Sequence, residues 1–340
     1  MQTSDPRPTL HVPAREIPVP TSVSREAQEA IAANLPGPPT AFPDLDDKEG
    51  WRAYIAELDA YVLGLFAGAQ DLRTLGEVNL PFASAHVEQI DAGGSVVYDV
   101  LPAGVAAEDR RVYLEIHGGA WIQGGGQSCR LTAIGTAVRI GARVWSVDYR
   151  MPPEHPYPSA LDDCIAAYRT LLDQRHPHEI VLGGGSAGGN LAAAMILRAR
   201  DEGLPLPAAV VLDTPATDLT ESGDTWQTNA GLDNVLPGSM KAAMLLYAAG
   251  HDLRDPYISP LFGDLSEGFP PTLLASGTRD PLLSDTVRMH RALRAVGVPA
   301  ELHVLEAAGH AKFMGAGSEY LELAREVRRF VDEHWARADM

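Results

Sequence analysis

The 340-residue sequence predicts an α/β fold: a mostly parallel central sheet flanked by helices, with a helical cap. Three observations lead to that expectation. Short apolar runs alternate with helix-patterned segments, as strand–crossover–strand units require. A 45% hydrophobic content over this length is enough for one large core with an added subdomain. Finally, Val181-Leu182-Gly183-Gly184-Gly185 runs through Ser186-Ala187-Gly188-Gly189-Asn190 into the helix-forming Leu191-Ala192-Ala193-Ala194-Met195, so a strand turns directly into a helix.

In chain order, the Pro-rich stretches at 6–20 and 36–43 read as an extended arm lying on the surface. Residues 46–66 have helical periodicity through Trp51, Tyr54, Ile55, Leu58, Tyr61, Val62 and Leu65. Strands are expected near 85–88, 96–100, 111–116, 209–212, 271–277 and 301–305, with helices from about Ser284 and over 319–335. Segment 220–255, with Trp226, Met240, Met244, Leu245 and Tyr247, reads as an insertion and, like the 46–66 helix, as lid material. The expected organisation is an arm and cap helices in 1–80, a core in 81–219 and 256–340, and a cap insertion in 220–255.

Chemistry is concentrated at the glycine-flanked serine. A serine hydroxyl needs a base and a backbone that holds it clear of the sheet, and a G-x-S-x-G strand-to-helix turn does the second job. Gly184 and Gly188 lack the Cβ that would clash in such a turn, which makes Ser186 the candidate nucleophile. No Lys follows the glycines, as a phosphate-cradling P-loop would need. The strand at 111–116 delivers His117-Gly118-Gly119-Ala120-Trp121, close to the H-G-G-G oxyanion-hole motif, in which small residues let backbone N–H groups reach a developing negative oxygen. Gly118, Gly119, Ala120 and Ala187 are the candidate oxyanion residues, and His117 is expected to brace the loop through backbone hydrogen bonds.

With these motifs the chain resembles the hormone-sensitive-lipase-like bacterial carboxylesterases (bacterial family IV) of the α/β-hydrolase superfamily. Four further stretches support the resemblance: Asp148-Tyr149-Arg150-Met151-Pro152-Pro153-Glu154-His155-Pro156-Tyr157-Pro158, Asp213-Thr214-Pro215-Ala216-Thr217-Asp218-Leu219, Gly277-Thr278-Arg279-Asp280-Pro281-Leu282, and Gly309-His310. It runs from about the HGGA strand to the C-terminal helix. Ala120 departs from the all-glycine form, and Gly185 stands where the family usually carries Asp or Glu.

In this fold the acid and the histidine follow the nucleophile on loops after core strands. Asp280 follows the 271–277 strand and His310 the 301–305 strand, completing a Ser186, Asp280, His310 set. Asp213 and Asp218 are rivals from an earlier strand, and Asp285 lies within a helix. His155 is expected to pack structurally, and His251, His290 and His303 to be surface or half-buried.

Composition narrows the function. A formal net charge of −18 disfavours nucleic acid and anionic membranes as partners. Two cysteines, Cys129 and Cys164, cannot build a disulfide framework and read as isolated buried thiols. No C-x-x-C or H-E-x-x-H spacing suggests a metal, and no cofactor is expected. Without a signal-peptide core near Met1 or a stretch of membrane-spanning length, the expectation is a soluble cytoplasmic protein. The resemblance implies a serine hydrolase for short- to medium-chain esters; lactone hydrolysis is the alternative. An acyltransferase, an amidase or a non-catalytic receptor of the same fold is a further reading, and a homodimer is left open.

Overall fold

The computed structural model describes residues 9–33, 37, 41–71 and 85–336. Those of the expected arm and cap in 1–80 that fall elsewhere, and the N-terminal residues read against a signal peptide, lie outside the described residues. So do the side chains of Leu65 and Phe66.

Eight strands form one sheet in the order β1-β2-β4-β3-β5-β6-β7-β8. Its central strands are β3 (Val112–Ile116), β4 (Arg143–Asp148), β5 (Ile180–Gly185), β6 (Ala209–Asp213) and β7 (Thr272–Gly277), with β8 (Ala300–Leu305) at the edge. All six run parallel. Strands β3 and β7 are buried at every residue, because helices cover both faces of the sheet. At the other edge β1 (Ala85–Ala92) and β2 (Ser95–Pro102) are antiparallel. Their two-residue turn is Gly93-Gly94, both with positive φ (69° and 89°), as a tight hairpin requires.

One face carries α3 (Gln127–Ile140) and α9 (Ser318–Ala336); the other carries α4 (Ser159–Leu172), α5 (Ala187–Asp201) and α8 (Leu283–Ala295). Helix α1 (Arg25–Ala33) packs through Ala27 near Phe313. Helix α2 (Lys48–Asp71) buries Trp51, Tyr54 and Leu58 against Ile122 and Ala243. Segment 220–255 holds only two short helices, α6 (Thr225–Thr228) and α7 (Lys241–Ala248). Among the described residues no helix is long and apolar enough to cross a membrane. Cys129 and Cys164 are both buried and free. His155 corrects an expectation: it is exposed, with Glu154 beside it, because the chain reaches the surface after the buried Pro152 and Pro153.

Candidate active site

Every candidate residue lies at the carboxyl end of a core strand, where open α/β sheets present their crevice. Ser186 joins β5 to α5 with φ 56° and ψ −120°, a conformation an L-residue adopts only where the surroundings enforce it. Two contacts enforce it. The Ser186 N–H donates to the Asp213 carbonyl at 2.9 Å, and a Cβ on Gly188 would overlap the carbonyl oxygens of Ile116 and His117. Gly188 thus lets the elbow press against the end of β3. Inside α5, the fully buried Asn190 donates to the carbonyls of Ala216 and Ile258, both at 2.8 Å, and accepts from Trp121 Nε1 at 3.3 Å. This amide ties the helix to the loops on either side of it.

After β3 the chain makes a left-handed turn, with φ of 112° at Gly119 and 51° at Ala120. The Gly119 carbonyl accepts from Ile122 and Gln123, each at 3.0 Å. Among the described residues no acceptor engages the Gly119 or Ala120 N–H. Ala187, the first residue of α5, likewise has no intrahelical acceptor for its N–H. His117 lies beneath the turn: its Nδ1 donates to the Gly118 carbonyl at 2.7 Å, and its ring stacks on Tyr149 with centroids 4.0 Å apart. The Tyr149 hydroxyl donates to the His117 carbonyl at 3.0 Å. Burial pulls the His117 imidazole below its ordinary pKa, so it is neutral at this position.

His310 Nδ1 lies 3.1 Å from Asp280 Oδ1. Asp280 is fully buried and accepts further hydrogen bonds from the Leu282 N–H at 2.9 Å and the Ser276 hydroxyl at 2.8 Å. Ser186 and His310 both line a cavity of about 650 Å³, together with Gly118, Gly119 and Ala120. Its apolar wall is built by Tyr54, Leu58, Tyr61 and Val62 of α2 and by Val235 and Met240.

A model of the alpha/beta hydrolase fold family matches residues 113–314, the stretch from β3 through the His310 loop. The chain belongs to the α/β-hydrolase family. Within it, a solved esterase of the bacterial hormone-sensitive lipase family is similar at 28% identity and a TM-score of 0.74, over 93% of this chain and 100% of that one. A second solved esterase is similar at 36% identity and a TM-score of 0.85, over 96% of this chain and 99% of that one. An acetyl-hydrolase of Streptomyces hygroscopicus is 38% identical over 196 residues, 57% of this chain and 65% of that protein.

In this α/β-hydrolase the rival acids have other partners. Asp213 pairs with Lys312 at 2.6 Å, and Asp218 pairs with Arg288 at 2.7 Å. Asp285 accepts the Asp218 N–H at 2.9 Å. The side chains of segment 220–255 divide between core, cavity and surface. Of those singled out in 220–255, only Met240 faces the cavity. Trp226, Met244 and Tyr247 belong to the main core, and Leu245 is exposed.

Sequence reasoning missed Asp233. Its Oδ2 accepts the backbone N–H of His310, and its Oδ1 accepts those of Val235 at 2.7 Å and Leu236 at 2.6 Å. One buried carboxylate therefore fastens the His310 loop to the segment that walls the cavity. A Cβ on Gly309 would overlap Asp233 Oδ2, so the glycine before His310 was the available local signal. The charges around His310 act in opposition. Burial pulls the imidazole down, but the Asp280 carboxylate and its hydrogen bond, with Asp233 behind them, raise its pKa above the ordinary value. Asp280 is the reciprocal case: burial raises it, and His310 with the Leu282 and Ser276 bonds brings it below the usual carboxylate value.

The structure also brings together a group that spacing did not reveal. Donor atoms of His117, Cys129 and Asp148 lie within 4.8 Å of one another. Asp148 Oδ1 accepts the Gly126 N–H at 2.9 Å, and Cys129 Sγ lies 3.3 Å from Ser146 Oγ. Burial pushes the Cys129 thiol well above its ordinary pKa. These contacts join the base of the HGGA turn to α3 and β4.

Proposed function

We propose that this protein is a serine carboxylic-ester hydrolase for short- to medium-chain esters, with Ser186 as nucleophile, His310 as base and Asp280 as the acid that orients it. The observation behind this reading is the bond from His310 Nδ1 to the buried Asp280 in a cavity shared with the strained Ser186 elbow. An ionised carboxylate only accepts, so Nδ1 carries the proton and Nε2 is left basic.

Ser186 Oγ attacks the ester carbonyl while His310 Nε2 takes its proton, and Asp280 stabilises the imidazolium. The N–H groups of Gly119, Ala120 and Ala187 receive the oxyanion, with Gly118 shaping the turn. His310 returns the proton to the departing alcohol. Water then attacks the acyl-enzyme, giving its proton to His310, and the acid leaves as the proton returns to Ser186. Every step uses residues of this chain, with no metal or organic cofactor. Residues 220–255 act with α2 as a cap on a core of 81–219 and 256–340, and the relatives' designations as esterases and an acetyl-hydrolase agree with the reading.

A fluorophosphonate probe followed by peptide mapping tests it, since a base-activated serine reacts rapidly. The adduct is expected at Ser186. An adduct at Ser159 or Ser276, or active protein without any adduct, would overturn the assignment.

A further inference from the structure

Three consecutive glycines end β5, and packing explains only two of them. A Cβ on Gly183 would overlap the Tyr113 hydroxyl, and one on Gly184 would overlap the Gly188 backbone. At Gly185 the nearest atom to an added Cβ is the Asp213 carbonyl oxygen at 3.7 Å, an ordinary contact, and the backbone has no positive φ. The missing side chain leaves room on the α3 side of the sheet, where the cavity continues past Ser186.

The lining there is polar. Thr132, Thr136 and Arg139 lie at i, i+4 and i+7 on one face of α3 and line the same cavity as Glu115 and Asp213. The Arg139 guanidinium donates to Thr136 Oγ1 at 2.9 Å and to the Tyr320 hydroxyl at 3.0 Å, and among the described residues no carboxylate pairs with it. Thr136 in turn donates to Glu115 Oε1, and Glu115 is itself buried. The Asp213 side chain is 46% exposed. Hydrolysis of a simple ester uses none of these groups, and holding them in a half-enclosed hollow is costly unless something hydrogen-bonds there. The hollow is lined by two carboxyl groups, Glu115 and Asp213, and one guanidinium, Arg139, while Lys312, outside the lining, pairs with Asp213. A net charge on the ligand gains nothing, whereas a hydroxyl can donate to Asp213 and accept from Arg139.

We propose that the hollow beneath Gly185 is a second substrate subsite that takes an uncharged, hydroxyl-bearing group, opposite the apolar wall built by α2. This rests on the ester-hydrolase reading and adds the substrate class: esters with an alkyl group on one side of the carbonyl and a hydroxylated group on the other. Sites built to hydrogen-bond a hydroxyl discriminate strongly against analogues that lack it.

The test measures kcat/KM by pH-stat titration on methyl butyrate, methyl 3-hydroxybutyrate, 2-hydroxyethyl butyrate and monomethyl succinate. At least one hydroxylated ester should exceed methyl butyrate by about tenfold or more, with the succinate half-ester disfavoured. Gly185→Val, which fills the hollow, and Arg139→Met, which removes the donor, should each bring that ratio close to one. The ratio within each variant is independent of any general loss of activity. Hydrolysis of methyl butyrate with no gain from either hydroxyl, a preference for the succinate half-ester, or a preference that survives both substitutions would overturn the subsite while leaving the esterase reading intact. Inertness toward all four esters would overturn both.

Discussion

Asp233→Asn separates positioning of His310 from general support of the fold. The amide oxygen can still accept from Val235 and Leu236, but its NH2 group would then face the His310 N–H, donor against donor. One charge-assisted hydrogen bond is lost, worth about 1.5–3 kcal/mol. If all of that is lost from the transition state, kcat falls roughly 10- to 150-fold. The pH dependence gives the sharper readout. His310 must be neutral to accept the serine proton, so activity rises with pH through the His310 pKa. From sequence alone that limb is expected near the unperturbed imidazole value, ~6.5. The surrounding carboxylates displace it upward, and Asp233 contributes to the displacement. Removing its charge should therefore move the limb toward lower pH while kcat drops. The assay is a kcat/KM–pH profile on nitrophenyl butyrate, with circular dichroism to establish folding. A folded variant with an unmoved limb and undiminished kcat would refute the assignment of Asp233 as a positioning residue.

Further outcomes follow from the same geometry. Asp280→Asn should cost on the order of 10⁴ in kcat through the wrong His310 tautomer; Asp213→Asn, whose carboxylate faces Lys312, should cost far less, and the reverse order in folded variants would reassign the acid. Gly188→Ala should destabilise the protein by about 1–3 kcal/mol by forcing the elbow away from β3, read as a lower melting temperature with reduced turnover; an unaffected variant would contradict the close approach. Along a series of nitrophenyl esters, kcat/KM should rise about fourfold per methylene, from ~0.8 kcal/mol each, to a peak between about two and eight acyl carbons. It should then fall, and a profile still climbing at palmitoyl would contradict an acyl site bounded by a cavity of about 650 Å³. EDTA should leave turnover unchanged, and activity lost to chelator and restored by a metal would direct attention to His117, Cys129 and Asp148.

Much of the candidate site was legible in the sequence because its chemistry is local. A strand, a glycine-flanked serine and a helix specify an elbow over a dozen residues, and HGGA after a strand specifies a turn of small residues. Asp280 and His310 could be placed because each follows an apolar run that forms a core strand, and parallel strands deliver the loops at their carboxyl ends to one edge. His117 as a brace was likewise readable, since the motif sets its backbone partner.

What only the tertiary structure decided concerns which faces meet. Asp233 accepts from Val235 and Leu236 in a local turn, but it lies far from His310 in sequence, and the His310 N–H becomes its partner only once segment 220–255 meets the His310 loop. Type and spacing leave open whether Trp226 and Tyr247 are core or pocket residues; they turn inward to the main core while Val235 and Met240 face the cavity. Helices as short as α6 and α7 carry too few turns for a period to settle facing. The polar hollow follows the same rule: Thr132, Thr136 and Arg139 show a helical stripe in sequence, but nothing in that stripe tells that it opposes a glycine whose neighbours leave room for a side chain. Local backbone chemistry is written in adjacent residues, whereas side-chain environment is a property of segments brought together, and the sequence by itself determines the first more readily than the second.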